Sequence, residues 1–254
     1  AEPPDLTSVS ATMLAALQEC GRSAAKDSGR YALAKVQIQG KAGRVAGTDG
    51  KFALLWGGFT FPFKDDVSVP ALSVFGSKPL SAATEVMVGR TATHLVLAAG
   101  PWSVWLPMDS KSRYPDVADI IPRHAPTVAG IDKRDAVEFL KVMATLPGHA
   151  TENRPVTIDA NATIRIRSRD PDTLETREVT LIRSPVAGPP VCVALDRRVL
   201  ARALFLGCHT FQFTPDKPLV GEGDGITVIA APLDPVLIVP APDETQKVAT
   251  RDTS

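Results

Sequence analysis

The apolar positions of this chain follow two spacings, and the changes between them divide the chain into elements. Apolar residues recurring every three or four positions predict helices over residues 6–25, 70–78, 132–146 and 196–207. Between these segments, short apolar runs or alternation with polar residues predict strands. The predicted strands are 31–38, two within 44–56, then 67–70, 85–88, 94–98, 104–107, 127–131, 156–158, 163–168, 177–182, 191–195, 210–213, 219–220, 226–230 and 236–239. Residues 240–254 lack periodicity and are predicted to form a loose tail.

The predicted helices begin at regular intervals. Their starts lie near Ser8, Pro70, Lys133 and Arg197, about 62 residues apart, and three or four strands follow each one. This predicts a fourfold repeat of one βαβββ-like unit, paired into two similar domains. We therefore predict an α+β fold with helices on one face and antiparallel sheets outside. The predicted domains are residues 1–122 and 123–242, with a flexible tail over 243–254.

The clearest local pattern is a hairpin over Arg44–Trp56. Two short apolar runs flank the dipeptide Asp49-Gly50. Glycine and aspartate tolerate the positive φ angles that a tight hairpin turn requires. The sequence therefore predicts two paired strands joined at this dipeptide.

Composition limits the classes of function. The chain has 254 residues, of which 44% are hydrophobic and 22% charged, and 28 basic side chains balance 28 acidic ones. A net charge of zero gives no overall basic field, so contact with nucleic acid would depend on local clusters of Lys and Arg. Three cysteines without CxxC spacing favour small buried side chains over a disulfide frame or a zinc site. No apolar run is long enough for a membrane span or a signal peptide, so we expect a cytoplasmic protein without a membrane partner.

Signals for catalysis are weak. The four histidines do not have the spacing of metal ligands, and no Ser or Cys lies in a nucleophile-elbow context. The glycines 221, 223 and 225 resemble a phosphate loop, but no helix and no Lys follow them, which favours a turn between strands. We therefore expect no enzyme activity, no cofactor and no metal.

Four motifs resemble one family when they are read in order. They are Arg30-Tyr31-Ala32-Leu33, Thr48-Asp49-Gly50-Lys51-Phe52-Ala53, Arg113-Tyr114-Pro115-Asp116 continuing to Ile121-Pro122, and Leu237-Ile238-Val239-Pro240. With the repeat period, they make the chain similar to the second and third domains of the bacterial DNA sliding clamp, the β subunit of DNA polymerase III. The resemblance implies a DNA-clamp fold and a processivity factor that encircles duplex DNA and tethers polymerase or repair partners.

The chain departs from the family pattern at several points. The family's first domain has no counterpart, Asp119 occupies a position where the family usually has a basic residue, and Ala241-Pro242-Asp243 replaces a Met and a basic residue. Two alternatives to a clamp therefore stay open. One is a clamp-derived interaction module that no longer encircles DNA, and the other is a fragment lacking the first clamp domain. If six clamp domains close the ring, as the family implies, two-domain chains would associate as trimers.

The resemblance implies that basic residues on the helices contact DNA independently of base sequence, because phosphate contacts carry no sequence information. The candidates are Arg22, Lys26, Lys133, Arg134, Lys141, Arg197, Arg198 and Arg202. The alternative is that these residues form only the solvated faces of amphipathic helices.

The resemblance also implies an apolar groove at the domain boundary, which accepts peptides of a DNA polymerase or clamp loader. The candidates for the groove are Leu33, Thr48, Gly50, Lys51, Phe52, Pro115, Ile120, Leu237, Ile238, Val239 and Pro240. The alternative for these positions is ordinary core and interdomain packing. The resemblance also implies that copies of the chain associate with one another into a ring.

Overall fold

The structure is a computed structural model that describes residues 5–26, 32–109, 111, 113–148 and 150–241, and the backbone of Gln246–Ala249. It contains two compact units, Ala1–Asp119 (unit 1) and Ile120–Ser254 (unit 2). Arg30 and Tyr31 of the first family-like motif lie outside the described residues.

Unit 1 contains the same order of elements twice. The first copy is β1 (Thr7–Val9), α1 (Thr12–Ser23), β2 (Lys35–Gln39), β3 (Arg44–Thr48) and β4 (Phe52–Trp56). The second is β5 (Asp66–Pro70), a 3-10 turn (Ser73–Gly76), the short helix α2 (Lys78–Ser81), β6 (Val86–Arg90), β7 (His94–Ala99) and β8 (Trp102–Pro107). The two copies exchange their first strands: β1 pairs with β6, and β5 pairs with β2. The strand orders are therefore β1-β6-β7-β8 and β5-β2-β3-β4, with antiparallel pairing throughout.

Unit 2 repeats this order with longer strands. Its first copy is β9 (Thr127–Gly130), α3 (Lys133–Val142) with a 3-10 turn (Met143–Thr145), β10 (Pro155–Ala160), β11 (Thr163–Arg169) and β12 (Thr176–Ala187). The second is β13 (Val191–Asp196), α4 (Arg197–Phe205), β14 (Thr210–Phe213), β15 (Leu219–Gly223) and β16 (Ile226–Ala230). The first strands are again exchanged, because β9 pairs with β14 and β13 pairs with β10. A further 3-10 turn (Pro235–Leu237) and the strand β17 (Gln246–Ala249) follow.

The predicted α+β class with few helices and large antiparallel sheets is confirmed, and each unit contains two βαβββ copies. The sheets supply most of the buried apolar side chains, and the helices cover them. In unit 2, Leu200 of α4 lies beside Ile158, Ile166 and Phe211. Burying such aliphatic and aromatic side chains is the main favourable term in folding.

Contact between α1 and the hairpin depends on one glycine. The thiol of Cys20 on α1 donates to the carbonyl oxygens of Val45 and Leu54 at 3.5 and 3.7 Å. At Gly47 on β3, a Cβ atom would overlap the backbone carbonyl of Cys20. Only glycine therefore lets the helix approach β3 this closely.

The strand predicted over 31–38 begins only at Lys35, because residues 32–34 form a turn. The helices of the N-terminal half also depart from the prediction in two places. The helix predicted from residue 6 begins at Thr12, because Thr7–Val9 pairs with β6 as the strand β1. The helix predicted over 70–78 is instead a 3-10 turn followed by α2, with Pro79 in its first turn. In both places tertiary pairing or proline overrides helical spacing.

The C-terminal residues also differ from the prediction. The strand predicted over 236–239 is wrong in part, because Pro235–Leu237 forms a 3-10 turn whose Val236 amide donates to the Asp234 carboxylate at 2.9 Å. The predicted loose tail contains β17, which pairs in parallel with β12 from Arg177↔Gln246 to Thr180↔Ala249. Such pairing joins residues far apart in sequence and leaves no local pattern.

The buried face of α3 includes a charged residue. Asp135 is fully buried, whereas the apolar Val137 is 52% exposed. The Asp135 carboxylate accepts hydrogen bonds from the Arg183 amide and the Ser184 hydroxyl, both at 2.8 Å. An ion pair with Arg183 at 2.9 Å completes the site, so a charged side chain holds α3 against β12.

Candidate functional site

The hairpin turn in unit 1 is held by its own side chains. The Thr48 hydroxyl donates to the Phe52 carbonyl at 2.7 Å and accepts from the Gly50 amide at 3.0 Å. The Asp49 carboxylate accepts from the amides of Lys51 and Phe52, both at 2.8 Å. Gly50 has a φ of +93°, which glycine adopts without strain. The predicted turn chemistry is therefore present.

The connector motif packs on this hairpin. Tyr114 is buried, and its hydroxyl donates to the Ala46 carbonyl at 3.4 Å. Burial raises the pKa of Tyr114 well above its ordinary value, so the phenol stays neutral. The Tyr114 end of the connector motif thus lies against the hairpin within unit 1.

The groove candidates in unit 1 differ in exposure. Thr48 and Phe52 are buried and belong to the hairpin. Leu33 is half-buried, while Gly50, Lys51 and Pro115 are exposed. Gly50, Lys51 and Pro115 are therefore open to solvent, whereas Thr48 and Phe52 hold the shape of the turn.

Unit 2 contains a cleft of about 480 Å³, and of the groove candidates only Ile238 lines it. Its walls are the first residues of β13, the turn after β14, and the segment that follows β16. We call residues 232–241 the strap. Ile238 lines the cleft, while Ile120, Leu237 and Pro240 are exposed and Val239 is half-buried. Lining residues that the motifs did not indicate include Val191, Val193, Phe213, Leu219 and Pro235.

The cleft has the chemistry of a site for an apolar peptide. Most of its lining side chains are aliphatic or aromatic, and Asp216, Lys217 and Asp234 supply charge. Val236 of the strap is 80% exposed. The exposed Cys192 thiol also lies in the lining. Apolar walls with few polar groups are typical of ligand clefts.

The candidate DNA contacts are mostly exposed, and several are ion-paired. Arg22 pairs with Glu19 at 2.8 Å and Lys141 with Glu138 at 2.9 Å. At the starts of α3 and α4, Asp132 and Asp196 cap the helix and also pair with an arginine two residues later. Lys26 and Lys133 are exposed as well, and Arg202 is half-buried. Exposed ion pairs of this kind each contribute little to stability.

Arg197 occupies a different environment from its neighbour Arg198. It is buried, and its guanidinium donates to the carbonyls of Leu146, Pro147 and Arg154, with distances of 2.8 Å to Leu146 and 3.1 Å to Arg154. Burial lowers its pKa below the ordinary value. Arg197 thus holds the segment that follows α3 through hydrogen bonds to its backbone carbonyls, and its guanidinium does not face solvent.

The outward face of α4 includes a residue that the motifs did not indicate. Phe205 is 77% exposed and follows Arg198 and Arg202 by seven and three positions, which places all three on one side of the helix. The spacing was visible in the sequence, but no pattern showed that the phenylalanine would be left outside the core.

No three His, Cys, Asp or Glu side chains of the described chain cluster as metal ligands. No helix within the same residues is long and apolar enough to cross a membrane.

Comparison with solved structures identifies the fold of this chain. No family model and no curated protein matches the chain. The crystal structure of the DNA polymerase sliding clamp from Bacillus subtilis matches with a TM-score of 0.77 and 17% identity, over 92% of this chain and 65% of that one. DNA polymerase III subunit beta from Pseudomonas aeruginosa matches with 0.76 and 17%, over 92% and 68%. The beta subunit from Thermotoga maritima matches with 0.74 and 16%, over 92% and 66%.

The chain therefore has the sliding-clamp fold, and the resemblance predicted from sequence is confirmed at the level of the fold. It spans about two thirds of the length of these solved chains.

Proposed function

We propose, from the sliding-clamp fold over 92% of this chain, that the protein holds duplex DNA without regard to base sequence and tethers partner proteins to it. The proposed role needs no chemistry by the chain itself. The fold match is the observation that carries the proposal. Exposed basic side chains on α1, α3 and α4 support it.

The proposed DNA contacts are Arg22, Lys26, Lys133, Arg134, Lys141, Arg198 and Arg202. Arg197 is left out, because its donors are used by backbone carbonyls. Phosphate contacts release counterions, so binding should weaken steeply with salt and should depend little on base sequence. The carboxylates that now pair with these residues, such as Glu138 and Asp196, would have to yield their partners to phosphate.

We propose the cleft of unit 2 as the part of unit 2 that accepts a partner peptide. Its apolar lining fits an extended segment with aliphatic and aromatic side chains, as peptide-binding grooves commonly do. Strand β13, which ends its sheet among the described residues, runs along the cleft and pairs with β10. On unit 1, the exposed Lys51 and Pro115 are the proposed peptide contacts.

A plasmid-retention assay tests the DNA proposal. We expect the protein, loaded on nicked circular DNA at moderate salt, to be retained and then released when the circle is cut, because a ring is held by topology. Replacing both Lys141 and Arg198 with Glu should reduce loading, since the two phosphate contacts would become repulsive. Lys64→Glu serves as the matched control, because Lys64 is an exposed lysine on a loop.

A clamp-derived interaction module is the second candidate. The balance of charges and the ion pairs at the starts of α3 and α4 favour it, because they reduce the basic field available to DNA. This candidate predicts peptide binding without DNA retention. Equal loss from circular and linear DNA would reject the ring and leave the module.

A further inference from the structure

A row of polar side chains crosses the sheet of unit 2 beneath the strap. Thr157 on β10 is the register partner of Arg167 on β11, and Arg167 is the partner of Glu178 on β12. Register partners project from the same face of a sheet. All three residues are buried, although two of them are charged. Such a buried charged row needs an explanation beyond core packing.

The row holds both backbone groups of one residue in the strap. The Val239 amide donates to the Thr157 hydroxyl at 2.7 Å, and the Arg167 guanidinium donates to the Val239 carbonyl at 3.4 Å. Arg167 also donates to Glu178 at 2.7 Å and to the Asp159 carboxylate. Burial alone would lower the pKa of Arg167, but its hydrogen bonds to these carboxylates hold it above the ordinary value. The guanidinium is therefore charged and fixed in orientation.

The other end of the same segment is also held. The Leu233 amide donates to the Ala194 carbonyl on β13 at 2.8 Å. Between Leu233 and Val239 the strap supplies Asp234, Pro235 and Ile238 to the wall of the cleft. Fixing both ends limits the conformations that this wall can adopt.

We propose that Thr157 and Arg167 are positioning residues for the cleft: by holding the backbone of Val239 they keep the strap wall in the form that accepts an apolar peptide. The proposal rests on the proposed peptide-binding function. Neither side chain lines the cleft, so both act through the strap. Pre-organising a wall in this way lowers the ordering cost of binding.

The decisive variants are Thr157→Val and Thr157→Ser. Valine keeps the β-branched shape but removes the oxygen that accepts from Val239, whereas serine keeps that oxygen. We expect Thr157→Val to speed amide hydrogen exchange at Ile238 and Val239 about tenfold and to weaken binding of a labelled peptide by a similar factor. The peptide used has two leucines and a terminal phenylalanine, and anisotropy reports its binding. Thr157→Ser should stay within about twofold of wild type.

A second pair of variants separates positioning from charge. Arg167→Met removes the donor to Val239, and Arg165→Met removes an equal charge from an exposed site on the same face of β11. Only Arg167→Met should speed amide hydrogen exchange at Ile238 and Val239 in the strap. Losing Arg167 leaves the buried Glu178 without this partner, which is a known cause of unfolding. If the variant unfolds, the comparison of Thr157→Val with Thr157→Ser tests the proposal.

Unchanged exchange at Val239 in Thr157→Val, with unchanged peptide affinity, overturns the proposal. Exchange that rises equally across all of unit 2 also overturns it, because a general loss of stability would then explain the effect. If wild type does not bind the peptide but Thr157→Val still speeds exchange in the strap alone, the strap is positioned as inferred and the proposed peptide function fails.

Discussion

The three cysteines of this chain lie in different surroundings. Cys20 and Cys208 are buried, and burial raises the pKa of Cys208 to about 12. Cys192 is exposed on β13. Partial burial is the largest cause that raises the pKa of Cys192, and the carboxylate of Asp159, its register partner on β10, raises it further. The nearby Arg167 acts in the opposite direction. Because the thiolate is the reactive form, reactivity with alkylating agents should be confined to Cys192.

We predict that Asp159→Asn increases the rate of Cys192 alkylation. The Asp159 carboxylate disfavours the nearby thiolate, so its removal should lower the pKa of Cys192 and raise the thiolate fraction at neutral pH. The measurement is the rate of iodoacetamide labelling, followed by intact mass from about pH 7 to about pH 10. Cys192→Ser is the control and should take up no label. A rate profile of Asp159→Asn that coincides with wild type would contradict this account.

At the level of single residues, local chemistry was predictable and distant partners were not. The roles of Thr48, Asp49 and Gly50 follow from a turn whose atoms lie within a few residues of one another. Arg197 and Arg198 look equivalent in sequence, yet only Arg197 is buried, because its acceptors are carbonyls in the chain that follows α3. Thr157 and Arg167 were missed for the same reason, since Val239 lies far along the chain.

At the level of elements, the repeat was predictable because three of its copies contain an amphipathic helix and all contain short apolar strands. The exchange of first strands between copies and the pairing of β17 with β12 were not predictable from sequence. Any strand with a suitable face could pair at these sheet positions. Helix α1 approaches β3 closely at Gly47, where the cost of adding a side chain can be measured.

We predict that Gly47→Ala destabilises the protein by about 3 kcal/mol, because the added Cβ overlaps the Cys20 carbonyl and forces α1 away from β3. Gly21→Ala on α1 is the matched control. The Cβ atom added at Gly21 would lie 3.7 Å from the Cβ of Ala71, which is an ordinary contact. That substitution should stabilise by about 0.5–1 kcal/mol through helix propensity. Denaturant unfolding measures both changes. Equal stability of the two variants would show that α1 can move from β3 at little cost.

At the level of the whole molecule, the balance of charge would limit the proposed binding of DNA. A chain with 28 basic and 28 acidic side chains has no strong overall attraction for phosphate. Retention would therefore depend on topology more than on affinity, which is what a closed ring provides. Each chain contributes two units, and a ring of six units, as the resemblance implies, requires three chains.

We predict a particle of three times the 27.0 kDa chain mass at micromolar concentration, measured by light scattering after size exclusion. The β8 strand ends its sheet among the described residues and has no charged side chain, and its Trp102 is 51% exposed. Uncharged edge strands readily pair with another chain, so Trp102→Lys should shift the mass toward the monomer. Val137→Lys adds the same charge at an exposed apolar position on α3 and should leave the mass unchanged. A monomer mass for wild type at every concentration would reject the ring and favour the interaction module.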